Sequence, residues 1–214
     1  MTFENTLEFA KKLDSQDQLH KYQDQFIFPQ VNGKKVIYFT GNSLGLQPKR
    51  SKEYVDEVMN DWANLAVEGH FYSEKPWWDY HERFANPLSK IVGALPTEVT
   101  VMNTLTVNLH LLMVSFYRPT KTRYKIICEE KAFPSDQYMF QSQVHFHGYK
   151  PEDAIVEIKR RNGEHNIRLE DVAAKIEEVG EELALVLIGG VNYYTGQVFD
   201  MKTITAAGQK HGAY

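Results

Sequence analysis

The stretch 183-LALVLIGGV-191 decides the fold. Six apolar residues run without a polar interruption and end in two glycines, with Val191 after them. A strand with one wet face alternates in polarity; a continuous apolar run of this length predicts a strand buried on both faces. The notably apolar segment 124-YKIIC-128 lies upstream, and a further strand is expected at 154–158. Between and after them come segments of helical length: 135–145, 169–179 and 201–211. Strands alternating with helices predict an α/β domain, its mostly parallel sheet covered on both faces. After the last helix, Gly212 is a helix stop, and Ala213-Tyr214 reads as the first step of another strand.

Upstream the pattern is looser. Phe3, Leu7, Ala10 and Leu13 share one helical stripe, and Asp14 or Ser15 is placed to cap a second short helix reaching about residue 24. Residues 35–40, KVIYFT, predict a strand, and GNSLGLQP a loop after it. Pro48 is placed to open a long helix over 48–66. PWWDYHERFANPLSKIVGA predicts another helix, with Pro76 near its start and Pro87 as an internal break. Residues 98–103 predict a short strand and 106–117 an apolar helix.

The chain has 214 residues, 43% of them hydrophobic, and a net charge of −4. That suits one large α/β domain, or one domain with an N-terminal extension. The charge argues against a general nucleic-acid footprint, so QPKRSK and IKRR read as solvated surface. The N-terminus carries acids and no long apolar core, so a signal or transit peptide is not expected, and no apolar run approaches a membrane span. Cys128, the one cysteine, falls in an apolar strand. It reads as a buried, inert thiol, which points weakly to the cytoplasm.

Ligands of open α/β sheets bind beyond the carboxyl ends of the strands, and three segments fall there. In 103-NTLTVNLH-110 a strand runs straight into a helix, whose first N–H groups could hold a phosphate. On pattern alone, a plain cap by Thr104 or Thr106 leads. In 132-AFPSD-136 a turn explains the proline, serine and aspartate. It does not explain Phe133, whose ring could lie flat on an aromatic ligand. In 189-GGVNYYTGQ-197 the glycines permit close backbone approach, although an ordinary turn is more frequent. GNSLGL fits no phosphate-binding glycine motif. His145 and His147 lack a third ligand, so no metal site is expected. His110 reads as a satisfied core histidine, and Trp77 and Trp78 as packing. These residues reach an α/β domain suited to a flat, phosphorylated ligand and leave the reaction open.

In order and spacing, YFTGNSLGLQPK, EGHF, MNTLTVNLHLLMVSFYRPTKTRYKI, EKAFPSDQY and GGVNYYTGQVFDMKTITAAGQKHGAY resemble the kynureninases over about residues 20–214. These are pyridoxal-phosphate (PLP) enzymes of the aspartate-aminotransferase type. The resemblance implies a fold-type I, three-layer domain cut before its later strands. It divides the chain into an N-terminal helical segment with a substrate-side loop, 1–66, and an incomplete PLP-binding large domain, 67–214. It implies that Leu105 and Thr106 bind the cofactor phosphate and that Phe133 stacks on the cofactor ring. Pro134, Ser135 and Asp136 would complete that wall, with Gly189 beside it, and Ser43 and His70 would meet the substrate. The position of Gly189 often carries a small hydroxyl residue in this family, so one polar contact is missing or made by water. The Schiff-base lysine, the aspartate for the ring nitrogen and the carboxylate-binding arginine are expected beyond Tyr214, so no catalytic residue is assigned and the 214 residues alone are expected to be inactive. Neither Lys125 nor Lys131 fits the lysine's role.

The activity implied is hydrolysis of kynurenine, or its 3-hydroxy form, to anthranilate or 3-hydroxyanthranilate and alanine, by a cytoplasmic homodimer with no nucleic-acid or membrane partner. Two rivals stand beside it: another fold-type I PLP enzyme, such as a cysteine desulfurase or aminotransferase, and a non-catalytic chain that holds PLP or phosphate. A desulfurase needs a persulfide-carrying cysteine, and a buried Cys128 counts against one.

Overall fold

The structure is a computed structural model and describes residues 2–214. It divides into two compact units, one ending at Thr100 and the other spanning Val101–Tyr214.

The first unit is built from short elements. Helix α1 (Leu7–Gln16) is capped by Thr6, whose hydroxyl accepts the Phe9 N–H at 3.2 Å. The second helix expected up to residue 24 is a 3-10 segment, His20–Gln25. Strand β1 (Phe26–Ile27) pairs with β4 (Gln47–Pro48), and β2 (Gln30–Val31) with β3 (Lys34–Lys35). Asn32 and Gly33, both at positive φ, make the tight turn of the second hairpin. The strand expected over 35–40 stops at Lys35. Pro29, on the facing side, has no N–H with which to extend the ladder. Pro48 is taken up in β4, so the long helix α2 runs Ser51–Leu65 and starts later than expected. Next come α3 (Gly69–Tyr72), a 3-10 turn at Tyr80–Phe84, and α4 (Ala85–Val92). Pro87 does not break α4: it lies in the first turn, where a backbone N–H has no partner to lose. The strand expected at 98–103 is absent among the described residues. A 3-10 turn at Pro96–Glu98 occupies its start, and the Glu98 carboxylate accepts the Leu95 N–H at 2.7 Å.

The second unit follows the sequence closely. Helix α5 (Leu105–Phe116) leads into β5 (Lys125–Glu129), then α6 (Pro134–Phe146), α7 (Pro151–Ala154), β6 (Ile155–Ile158), α8 (Leu169–Val179), β7 (Leu183–Val186) and α9 (Met201–Lys210). The sheet order is β6–β5–β7, all parallel, with β5 central. Alternation along β5 separates two cores. Ile126 and Cys128 pack with Met113, Tyr117, Met139 and Phe140 of the α5–α6 layer. Ile127 turns the other way, onto Val172 and Ile176 of α8 and Ile204 of α9. Ile126 and Ile127 are both fully buried, worth about 1.5–3 kcal/mol each by transfer. The result is a three-layer α/β unit. At its end, the Tyr214 carbonyl accepts the Val186 N–H at 2.8 Å, and its own N–H reaches Ala184 O at 3.2 Å. The step expected at Ala213-Tyr214 therefore lies along β7. No helix among the described residues is long and apolar enough to cross a membrane.

Candidate functional site

Beyond the carboxyl end of β5 the chain makes a tight turn, with Lys131 at φ +54°, and enters α6. Phe133 is the N-cap residue and Pro134 opens the helix. The Phe133 carbonyl accepts the N–H groups of Asp136 (2.8 Å) and Gln137 (3.2 Å). That fixes the backbone and leaves the ring 47% exposed, with one edge against Tyr193 at 5.1 Å and 84°. The Ser135 hydroxyl donates to the Asp136 carboxylate at 3.3 Å. Burial pushes the Asp136 carboxyl above its ordinary range, and the Ser135 bond partly opposes this.

Helix α5 lies along the sheet through Leu109, Met113 and Tyr117. Its last turn is tied to the start of β5 by the Tyr117 hydroxyl, which donates to Tyr124 O at 2.7 Å. Its first turn is thereby directed to the sheet's carboxyl end. Thr104 takes the N-cap position but forms no side-chain cap bond, so the plain capping role does not hold for it. The approach is set by Asn103 at φ +46° and by Asn108, whose amide donates to Met102 O at 2.8 Å. The first N–H groups of such a helix have no partner within it. They favour an anion, with the Thr106 hydroxyl beside them. His110 is satisfied by Gln143 at 2.8 Å.

The third wall is the loop after β7. Gly189 could carry a Cβ without clash, since Glu129 and Val191 O would both be 3.5 Å from it. Its openness is therefore not forced by packing. The Glu129 carboxyl accepts the Gly189 N–H at 3.0 Å. Glu129, Asn192 and Tyr193 escaped the sequence reading. The available signal was a carboxylate closing an otherwise apolar strand.

In the first unit, His70 lies on α3, exposed, with its ring edge-on to Trp77 at 5.3 Å. Trp77 packs under Gly69 and so does serve packing, whereas Trp78 is exposed. Ser43 is exposed in its loop, its N–H bonded to Thr40 O at 3.0 Å. Cys128 is buried, which pushes its thiol up to about 12. Among the described residues, no group of His, Cys, Asp and Glu is arranged to hold a metal.

An open helix start, a half-exposed ring on a fixed backbone and a paired hydroxyl and carboxyl thus occupy one end of the sheet. This arrangement fits a flat, phosphorylated heteroaromatic group. A curated kynureninase from Flavobacterium johnsoniae is 86% identical to this chain over 213 residues, and those from Myxococcus xanthus and Nematostella vectensis are 53% and 50% identical. The chain belongs to the kynureninase family. It spans about half the length of these kynureninases: 100% of the chain and 50% of the F. johnsoniae protein, 99% and 50% for M. xanthus, 96% and 47% for N. vectensis. No protein-family model matches it. Among solved structures, the cystine C–S lyase C-DES in complex with cysteine persulfide aligns with a TM-score of 0.58 at 15% identity, over 82% of this chain and 44% of that one. The apo cysteine desulfurase from Thermococcus onnurineus NA1 also gives 0.58, at 20% identity, over 100% and 47%. At such identities the likeness concerns the fold alone. It places this kynureninase-family chain in the fold-type I architecture.

Proposed function

We propose that this chain forms the cofactor-cradling part of a PLP-dependent kynureninase, which hydrolyses L-kynurenine or its 3-hydroxy form to the anthranilate and L-alanine. The observation that carries the reading is the Phe133 ring, held half-exposed at the carboxyl end of β5, at the same end of the sheet as the uncapped start of α5. The α5 first-turn N–H groups at Leu105 and Thr106 bind the phosphate, and the Thr106 hydroxyl adds a donor. Phe133 covers one face of the ring. Pro134 sets the helix start, and Ser135 and Asp136 make the polar side of that wall, with Gly189 beside it. When bound, PLP supplies an electron sink for charge developing at the substrate α-carbon. Ser43 and His70 orient the aromatic ketone.

No lysine of this chain is assigned to the Schiff base, and the 214 residues by themselves are expected to be inactive. Lys125 stands at the opposite end of β5 and is ion-paired to Glu182 at 2.6 Å. Lys131 lines a cavity of about 280 Å³ with Arg160 and His165. A cytoplasmic homodimer belongs to the same proposal.

The test is anthranilate fluorescence with kynurenine and PLP, run on the protein as its source makes it and on residues 1–214 alone. Signal from the former only is expected. Absence of signal from both would remove the kynureninase reading.

A further inference from the structure

Glu129 closes a strand whose preceding residues Ile126, Ile127 and Cys128 are buried and apolar, and it is itself only 5% exposed. Burial pushes its carboxyl up, and hydrogen bonds from the Gly189 N–H and the Asn192 side chain partly oppose this. A buried carboxyl held mainly by neutral donors is costly to keep. Its contacts show what it holds. Gly189 lies sixty residues away in sequence, and its N–H donates to Glu129 Oε2 at 3.0 Å. Asn192, also buried, continues the network. Its Oδ1 accepts the Tyr194 N–H (3.0 Å), the Thr195 N–H (2.9 Å) and the Thr195 hydroxyl (3.1 Å). The loop is thus held at Gly189 by the Glu129 carboxyl and at Tyr194 and Thr195 by the Asn192 amide oxygen. Tyr193 projects from the middle of that loop and meets Phe133 edge to face.

The geometry points to Glu129 as a positioning residue, which fixes the 189–195 loop and through Tyr193 sets the attitude of the Phe133 ring. The consequence for the cofactor rests on the PLP reading above. The role assigned to Glu129 is indirect, through the loop that carries Tyr193. It governs how flat and how steady the aromatic wall is.

Three variants in the protein as its source makes it test this: Glu129→Ala, Glu129→Gln and Tyr193→Leu. Glutamine keeps an oxygen for the Gly189 N–H. Three quantities are read well below the melting midpoint: amide exchange at Gly189, Tyr194 and Thr195 without cofactor, the PLP dissociation constant, and the visible circular dichroism of bound PLP. Glu129→Ala is expected to speed exchange about tenfold, weaken PLP about tenfold and diminish the dichroic band, with Glu129→Gln restoring all three to within about twofold. Tyr193→Leu, at a half-exposed position, is expected to weaken PLP severalfold while leaving exchange at Gly189 unchanged. Parental exchange in Glu129→Ala overturns the proposal. So does parental PLP affinity in Tyr193→Leu, which decides the matter even where the alanine variant fails to fold. If the parent itself binds no PLP, the cofactor reading falls, and amide exchange alone decides whether Glu129 holds the loop.

Discussion

Arg123 offers the sharpest separation of buried from surface electrostatics in this fold. Its Nη1 donates to Leu183 O at 2.7 Å and to His211 O at 2.5 Å, while Nη2 meets Glu181 at 3.1 Å. The guanidinium thus joins the start of β7 to the end of α9, next to Gly212 at φ +71°. The Arg123 side chain is 28% exposed and that of Glu181 89%. A hydrogen bond from a charged group is worth about 1.5–3 kcal/mol, and its loss leaves each carbonyl unsatisfied. An exposed ion pair contributes about 0–1 kcal/mol. Arg123→Ala should therefore cost about 3 kcal/mol, taking the lower end of each bond for partial exposure, and Glu181→Ala no more than about 0.5. In urea unfolding followed by near-UV dichroism, with m of about 2 kcal/mol/M, Arg123→Ala lowers the midpoint by about 1.5 M at unchanged m. Arg123→Lys recovers less than half, because one ammonium cannot serve both carbonyls. A shift in Arg123→Ala below about 0.3 M, or one matched by Glu181→Ala, would refute the argument.

Three further outcomes are expected. Phe133→Ala should weaken PLP roughly three- to tenfold in a fluorescence titration, the worth of one aromatic face; unchanged affinity would take the ring out of the site. The Cys128 thiol, raised from 9.0 to about 12 by burial, should resist a disulfide reagent at pH 8 in the native protein and react at once in denaturant. Because the folded value is the higher, this group's stabilisation is complete below pH 9 and declines by about 1.4 kcal/mol per pH unit above it. Cys128→Ala should therefore flatten the alkaline limb of a stability–pH curve, with Tyr117, also raised by burial, contributing at still higher pH. Gly69→Ala would bring its Cβ to 2.6 Å from the Trp77 ring and should cost about 1–3 kcal/mol by overpacking; a melting curve identical to the parent's would show that Trp77 moves aside freely.

The legible parts of the fold were those whose pattern is complete within a dozen residues. KIIC and LALV announce buried strands, and the apolar faces of α8 and α9 announce their helices, because burial on one or two sides leaves a periodic mark. Residues 36–40 and 99–103 carry the same apolar mark, yet a strand needs a partner, and whether Pro29 denies one is a tertiary fact. Pro48 read as a helix opener on local grounds and was claimed by β1 instead. At the site, Phe133 stood out because no turn requires a ring. Glu129 and Asn192 did not, because their meaning arises only when β5 and the 189–195 loop, sixty residues apart, come together. The strand order, with β5 inside, is equally silent in the sequence.

That order has a consequence for how the sheet assembles. Of the three strands β5 is made first and needs neighbours on both edges, yet β6 arrives about thirty residues later, across α6 and α7, and β7 about sixty later, across α8 as well. Closing those loops costs entropy before any ladder bond rewards it. Until then Ile126 and Ile127 present two bare edges and two bare faces, the kind of surface on which nascent chains stick to one another. The strand that becomes the most protected part of the native unit is, during synthesis, its most vulnerable.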